Sequence, residues 1–180
     1  MEEMNKLLQI FKDAHQGFLD RDKSLLLADV NERTWCGALS QHLMLRISQS
    51  EYKGYYADIE YNRNNRRVKI IVNDKMEIVR INCDLIVHSR GENIEKDNLI
   101  AIEMKKSDAP EAEKQDDKIR LTALTKDSFD DIWSYDGKTF PEHVCRYSLG
   151  IYYEVNRRRR NILLEYFVKG KFVFKELITF

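Results

Sequence analysis

The chain has 180 residues, 33% of them charged, and Lys plus Arg equals Asp plus Glu, so its net charge is zero. That length suits one domain with a core large enough to fold alone. The charge balance excludes a strong bulk attraction to nucleic acid or to an anionic membrane, so any such contact must come from local segregation of charge. Gly (7) and Pro (2) are too sparse for a linker-rich or disordered chain. Cys36, Cys83 and Cys145 lie far apart and form no CxxC pair, which argues against a zinc site and for a reducing, cytoplasmic setting. No apolar run is long enough to span a membrane, and "MEEMNKLLQI" lacks a basic-then-apolar export pattern.

In chain order, Leu7, Leu8, Ile10, Phe11, Phe18 and Leu19 predict a helix over residues 2 to about 19. "DRDKS" at 20–24 reads as a polar break, with a second helix following to about Ile47. "YYADIEYN" (55–62) and "RVKIIV" (67–72) read as strands joined by a turn at "RNNRR". "EIVRINCDLIVHS" (77–89) is a further strand with a bend, and "LIAIEMKK" (99–106) follows a polar turn. Residues 111–126 read as a helix with Ala112, Ile119 and Ala123 on one side, and 126–142 as a helix or a loop. "RYSLGIYYEV", "NILLEYFVKG" and "KFVFKELITF" supply two or three closing strands. The order predicts a mixed α/β fold in a single domain, 1–180, with no repeat or internal boundary.

Within "IAIEMKKSDAP" (100–110), Glu103 and Lys105 interrupt an apolar strand two residues apart, so they share one face. Asp84 stands in the preceding strand, with Ile86 and His88 expected on its face and Cys83, Leu85 and Val87 on the other. A hairpin between the two strands brings Asp84 and Glu103 together, and two such carboxylates repel unless a cation or proton lies between them. Hard oxygen ligands of this kind suit magnesium or manganese. On the second helix, Ala28, Trp35, Leu39, Leu43 and Ile47 form one stripe, and Glu32 falls on it. Glu32 reads either as a further site carboxylate or as the last member of an Asp29-x-x-Glu32 helix cap. Its company with Asp84 and Glu103 favours the site.

The ordered segments "NER", "DIEYNR", "CDLIVHSRG", "NLIAIEMKKS" and "DDKIRLTAL" resemble the PD-(D/E)XK nuclease superfamily, and within it small bacterial and phage-associated members. The resemblance covers roughly residues 29 to 154. Its centre is Asp84, then Glu103 and Lys105; Cys83 stands where the family name puts Pro. The resemblance implies a restriction-endonuclease-like αβββαβ core, a mixed central sheet flanked by helices, here with extra C-terminal strands. It implies Mg²⁺ (or Mn²⁺) held by Asp84 and Glu103, with the Met104 carbonyl and Glu32 as further ligands. Lys105 would orient the attacking water and offset charge in the transition state. The implied activity is hydrolysis of phosphodiester bonds in nucleic acid, DNA above all.

Other residues carry two readings each. Glu60 adds a ligand from the adjacent strand, or makes a salt bridge at the sheet surface. Lys118 touches a phosphate, or forms an ordinary solvated pair with Lys114. His88 belongs to the rim of the site or to the framework, and His42 to packing or surface. Arg157, Arg158, Arg159 and Arg160 in "NRRRRN" are a solvated turn or a phosphate-binding cluster, joined in the second case by Arg63, Arg66 and Arg67. The short chain leaves little for reading a target, so specific cleavage would need a homodimer, a partner protein or recognition of nucleic-acid structure. The alternative to an enzyme is a catalytically inactive protein on the same fold, acting as a nucleic-acid-binding or protein-interaction module. A third possibility is an unrelated metal-free fold with the charges as surface pairs.

Overall fold

Leu7, Phe11, Ala14, Phe18 and Leu26 recur at steps of three, four and eight, which keeps them on one side of a helix. In the computed structural model they are the buried face of α1 (Glu2–Leu27). The structure describes residues 2–61, 83–127 and 145–180, and between 62 and 82 only the backbone of four short strands. The polar "DRDKS" does not break α1. Its residues are compatible with helix, and Leu26 beyond them returns to the core. The break falls at 28–31 instead, and Asn31 caps α2 (Glu32–Ser48) by accepting the Thr34 N–H. Ala28 is therefore outside the helix and exposed, while Trp35, Leu39, Leu43 and Ile47 are buried as expected. His42 Nε2 stands 2.7 Å from Asp22 Oδ2 and ties the two helices together.

After α2 come β1 (Tyr56–Ile59), β2 (Arg63–Asn64), β3 (Arg67–Val68), β4 (Ile70–Val72), β5 (Ile78–Arg80) and β6 (Leu85–His88). The strand expected at 67–72 is two short pieces, and the one at 77–89 is split. β2 pairs only with β3, and β4 only with β5, outside the main sheet. Then follow β7 (Asn98–Lys106), α3 (Glu111–Leu124), β8 (Leu149–Asn156), β9 (Asn161–Val168) and β10 (Lys171–Thr179). The expected element at 126–142 lies outside the described residues from 128 onward.

The result is a mixed α/β fold. Two N-terminal helices precede a six-stranded sheet ordered β1-β6-β7-β8-β9-β10, with α3 inserted between β7 and β8. β7 and β8 are parallel, as a helical crossover requires, and the other pairs are antiparallel. The central strand β7 is buried on both faces through residues 99–104 because both are covered, although Glu103 interrupts its apolar run. Ile100, Ile102 and Met104 join the core under α1 and α2, and Ala101 joins the one under α3. Leu85 and Val87 lie in the first core as expected, but Cys83 falls with Ile86 in the second, because the chain bends at Asp84 before β6 begins. Among the described residues no helix is long and apolar enough to cross a membrane.

The core under α1 contains one titratable side chain whose effect on stability is calculable. His15 is 4% exposed, stacks on Phe11 and lies 3.1 Å from the Tyr153 hydroxyl. Burial lowers its pKa from 6.5 to about 4, partly opposed by the Glu176 charge. The unfolded chain therefore binds the extra proton, so stability is present above 6.5 and is lost as the pH falls toward 4. Between about pH 7 and about pH 5 the loss from this residue is about 2 kcal/mol. Urea unfolding at both pH values should show His15→Gln losing less stability over that interval than the parent. Equal losses would mean that His15 is not the group responsible.

Candidate active site

The β6–β7 hairpin pairs Ile86 with Ala101 and ends at Leu85 with Ile102, so Asp84 and Glu103 both come next beyond the end of the ladder. Asp84 caps the end of that ladder: its Oδ2 accepts the Met104 N–H at 2.8 Å. A strand residue directs its N–H and C=O to the same side, so the Met104 carbonyl faces the end of β6 where Asp84 stands. The Met104 side chain is buried in the core.

Glu103 and Lys105 continue the face of Ala101, toward α3. Glu103 is 1% exposed, and its Oε1 lies 2.6 Å from Arg120 Nη1. Burial pushes its carboxyl well above the usual range; neighbouring Asp84 and Asp117 push the same way, and Arg120 opposes them. Burial also raises Asp84, the Met104 amide lowers it, and the charges of Asp117 and Glu32 raise it further. Lys105 is 15% exposed, with Nζ 3.1 Å from Asp117 Oδ2 and 4.0 Å from Glu113 Oε2. Burial disfavours its charge, but Asp117, Glu32 and Asp84 outweigh that and hold the ammonium above its ordinary pKa. Lys106 points to the opposite face, over the Trp35 ring and toward Asp29.

Glu32 approaches from the α2 side. As the residue after the Asn31 cap it is not the third residue of a capping box, so the Asp29-x-x-Glu32 reading fails. Its Oε1 accepts the Lys106 N–H at 2.8 Å instead, tying α2 to the end of β7. The buried Cys36 thiol is raised by burial, and further by the charges of Asp84, Glu103 and Glu32. Asp84 and Glu32 also line a cleft of about 300 Å³ with Asn31, Arg33, Cys36, Ile59 and Glu60. Glu60 thus reaches the same cleft as Glu32 and Asp84. It sits in a turn with φ 48°, donates its N–H to the Asp84 carbonyl at 3.1 Å, and pairs with Arg33 rather than across the sheet.

These groups do not form a ready-made metal cage. Among the described residues, no three His, Cys, Asp or Glu side chains are arranged to hold a metal ion. Glu103 is turned to Arg120, and Asp84 and Glu32 each give one oxygen to a backbone amide. The donor set nevertheless suits a hard divalent cation, because four carboxylates (Glu32, Asp84, Glu103, Asp117) gather around Lys105 and Arg120. Asp117 Oδ2 is buried and faces Lys105 as an ion pair without an aligned hydrogen bond.

Asp117 and Arg120 are functional candidates absent from the sequence reading. The buried residues of α3 are Lys114, Asp117, Leu121, Ala123 and Leu124, so of the three expected on one side Ala123 is buried, whereas Ala112 and Ile119 are exposed. That polar face docks because the sheet beneath it is polar as well: Lys114 pairs with Glu154, and Asp117 with Lys105. A run at steps of three, four and three within "EKQDDKIRLTAL" was the available signal. Lys118 turns away from the site, 2.8 Å from Glu165 on β9 and over the Tyr152 ring, so it is not a solvated partner of Lys114. His88 is buried and bonded to Asp58, which Arg90 also holds with two nitrogens; both belong to the framework of β1 and β6.

The β8–β9 turn follows directly from the strand beside β7, since Lys105 pairs with Glu154 and Lys106 with Val155. Arg157 is docked there on Asp29 at 2.9 Å, while Arg158, Arg159 and Arg160 are exposed. Arg66 lies outside the described residues, and for Arg67 only the backbone in β3 is described. Comparison of the chain with protein-family models, with curated proteins and with solved structures found no match in any of the three.

Proposed function

We propose that the chain is a Mg²⁺- or Mn²⁺-dependent phosphodiesterase of the PD-(D/E)XK type, acting on nucleic acid and on DNA first. The observation that carries the reading is the β6–β7 register, which sets Asp84 and Glu103 both next beyond the end of the ladder, with Lys105 two residues on. Support also comes from the order α2, β1, β6, β7, α3, β8, with β8 parallel to β7, because the resemblance implies an αβββαβ core of that kind.

Asp84, Glu103, Glu32 and the Met104 carbonyl would hold the metal, with Glu60 as a further ligand from the cleft wall. The metal supplies Lewis acidity and a more acidic water. Lys105 is a cation at neutral pH, so it acts by charge and orientation and not as a base. Its ammonium orients the water and opposes the negative charge that develops on the phosphoryl oxygens. Asp117 holds Lys105 in place. The exposed Arg158, Arg159 and Arg160 contact backbone phosphates beyond the site. A homodimer or a partner protein supplies target recognition.

The test is cleavage of supercoiled plasmid and of single-stranded and branched oligonucleotides with Mg²⁺ or Mn²⁺, by the parent and by Asp84→Asn. Metal-dependent cutting that is lost in the variant supports the enzyme. Arg120 on Glu103 and the lack of a ready three-ligand group favour the second reading, a non-catalytic nucleic-acid-binding or interaction module. A parent that binds DNA in a salt-sensitive way, but neither cuts it nor takes up metal, would establish that reading instead.

A further inference from the structure

We infer that Arg120 is a built-in counter-ion which holds Glu103 in place of a divalent cation and must release it before a metal can bind. The inference rests on the metal-dependent reading above and adds a residue that controls loading of the site. Glu103 is almost fully buried, and a carboxylate there needs a positive partner to remain ionised. Arg120 Nη1 supplies it at 2.6 Å from Oε1.

The same guanidinium nitrogen lies 3.1 Å from Asp117 Oδ1, three residues back on α3. Residues so spaced are neighbours on a helix surface, so this contact survives a swing away from Glu103. Arg120 is 25% exposed, whereas Glu103 is 1% exposed. The cation therefore has solvent to move toward, while the carboxylate stays inside. A metal ion and a guanidinium on the same carboxylate repel each other, so the metal binds at full strength only once Arg120 has left Glu103. This accounts for a site rich in carboxylates that nevertheless holds no ready group of three.

The experiment is titration with Mn²⁺ alone, followed by calorimetry and by thermal unfolding, for the parent, Arg120→Gln and Arg120→Lys. The readout is metal affinity, not cleavage. Arg120→Gln should melt lower than the parent without metal and should bind Mn²⁺ about tenfold or more tightly, the usual size of a coupling between two ligands. A variant that folds only with Mn²⁺ would support the inference equally. Should Arg120→Gln not fold in either condition, Arg120→Lys decides, because a single ammonium grips Glu103 less well. It should bind Mn²⁺ several-fold more tightly than the parent, by about the lower end of such couplings. Unchanged or weaker Mn²⁺ binding in the folded variants overturns the inference, since Arg120 would then act beside the metal. Should neither the parent nor a folded Arg120 variant take up Mn²⁺, the metal-dependent function itself falls, and this inference with it.

Discussion

Lys105→Ala is expected to cut phosphodiester cleavage by about 10²-fold or more while leaving the fold and the metal response in place. The magnitude is that of removing one preorganised group aimed at developing charge. The structure adds two reasons to expect a clean result. Lys105 is already oriented, 3.1 Å from Asp117 and 15% exposed, so the catalytic group costs little to position. Its loss leaves Asp117 with the Arg120 hydrogen bond at 3.1 Å, so the buried carboxylate is not abandoned. The internal control is Lys106→Ala. Lys106 lies on the other face of β7, and the N–H it donates to Glu32 belongs to the backbone, which alanine keeps. Steady-state cleavage rates for the two variants, beside their melting curves, make the comparison. Equal rates for Lys105→Ala and the parent would remove Lys105 from the mechanism. A large loss in Lys106→Ala would mean that the faces have been assigned the wrong way round.

The hairpin carrying Asp84 and Glu103 was legible because strand periodicity is short and strict. Alternation alone places Glu103 and Lys105 on one face, and a hairpin leaves few registers for Asp84. Helix ends were less legible. Asp20 to Ser24 resembles a break but continues a helix, since charge does not interrupt helical hydrogen bonding and Leu26 is still needed in the core. The real break lies at Asn31, and misplacing it made Glu32 resemble a capping residue. The cap at Asn31 rules the capping box out, and the tertiary bond to the Lys106 amide shows where the carboxylate goes instead. Asp117 and Arg120 were hidden for a different reason. In a helix dense with charge, burial of a polar face depends on what the sheet offers beneath it, and that partner, Glu103 with Lys105, is distant in sequence. Lys118 shows the converse. It neighbours Asp117 in sequence, but one residue along a helix turns a side chain by about 100°, here onto Glu165.

A rise in melting temperature with Mn²⁺ or Mg²⁺ is the expected result with the widest reach. In the metal-free protein the charges of Asp84 and Asp117 raise the cost of ionising Glu103, and those of Asp117 and Glu32 the cost of ionising Asp84. A bound ion relieves this, and binding to the folded state alone stabilises it by about 2.7 kcal/mol at a hundredfold excess over Kd. For a chain of this size that is a shift of about 5–10 °C. Asp84→Asn should abolish the shift, and it should raise the melting temperature of the metal-free protein. Asparagine can still accept the Met104 N–H but no longer repels Glu103. Glu103→Gln should also abolish the shift, though Arg120 then keeps only Asp117 and little metal-free stability is gained. Glu32→Gln is the informative variant. Glutamine can accept the Lys106 N–H as glutamate does, so the tie between α2 and β7 survives. A metal ligand lost at this position shrinks the Mn²⁺ shift, whereas a residue that serves only as that tie leaves it whole. A full shift in Glu32→Gln would confine the centre to Asp84, Glu103 and the cleft wall at Glu60. No shift in the parent, at metal concentrations that saturate ordinary carboxylate sites, would remove the metal and with it the phosphodiesterase.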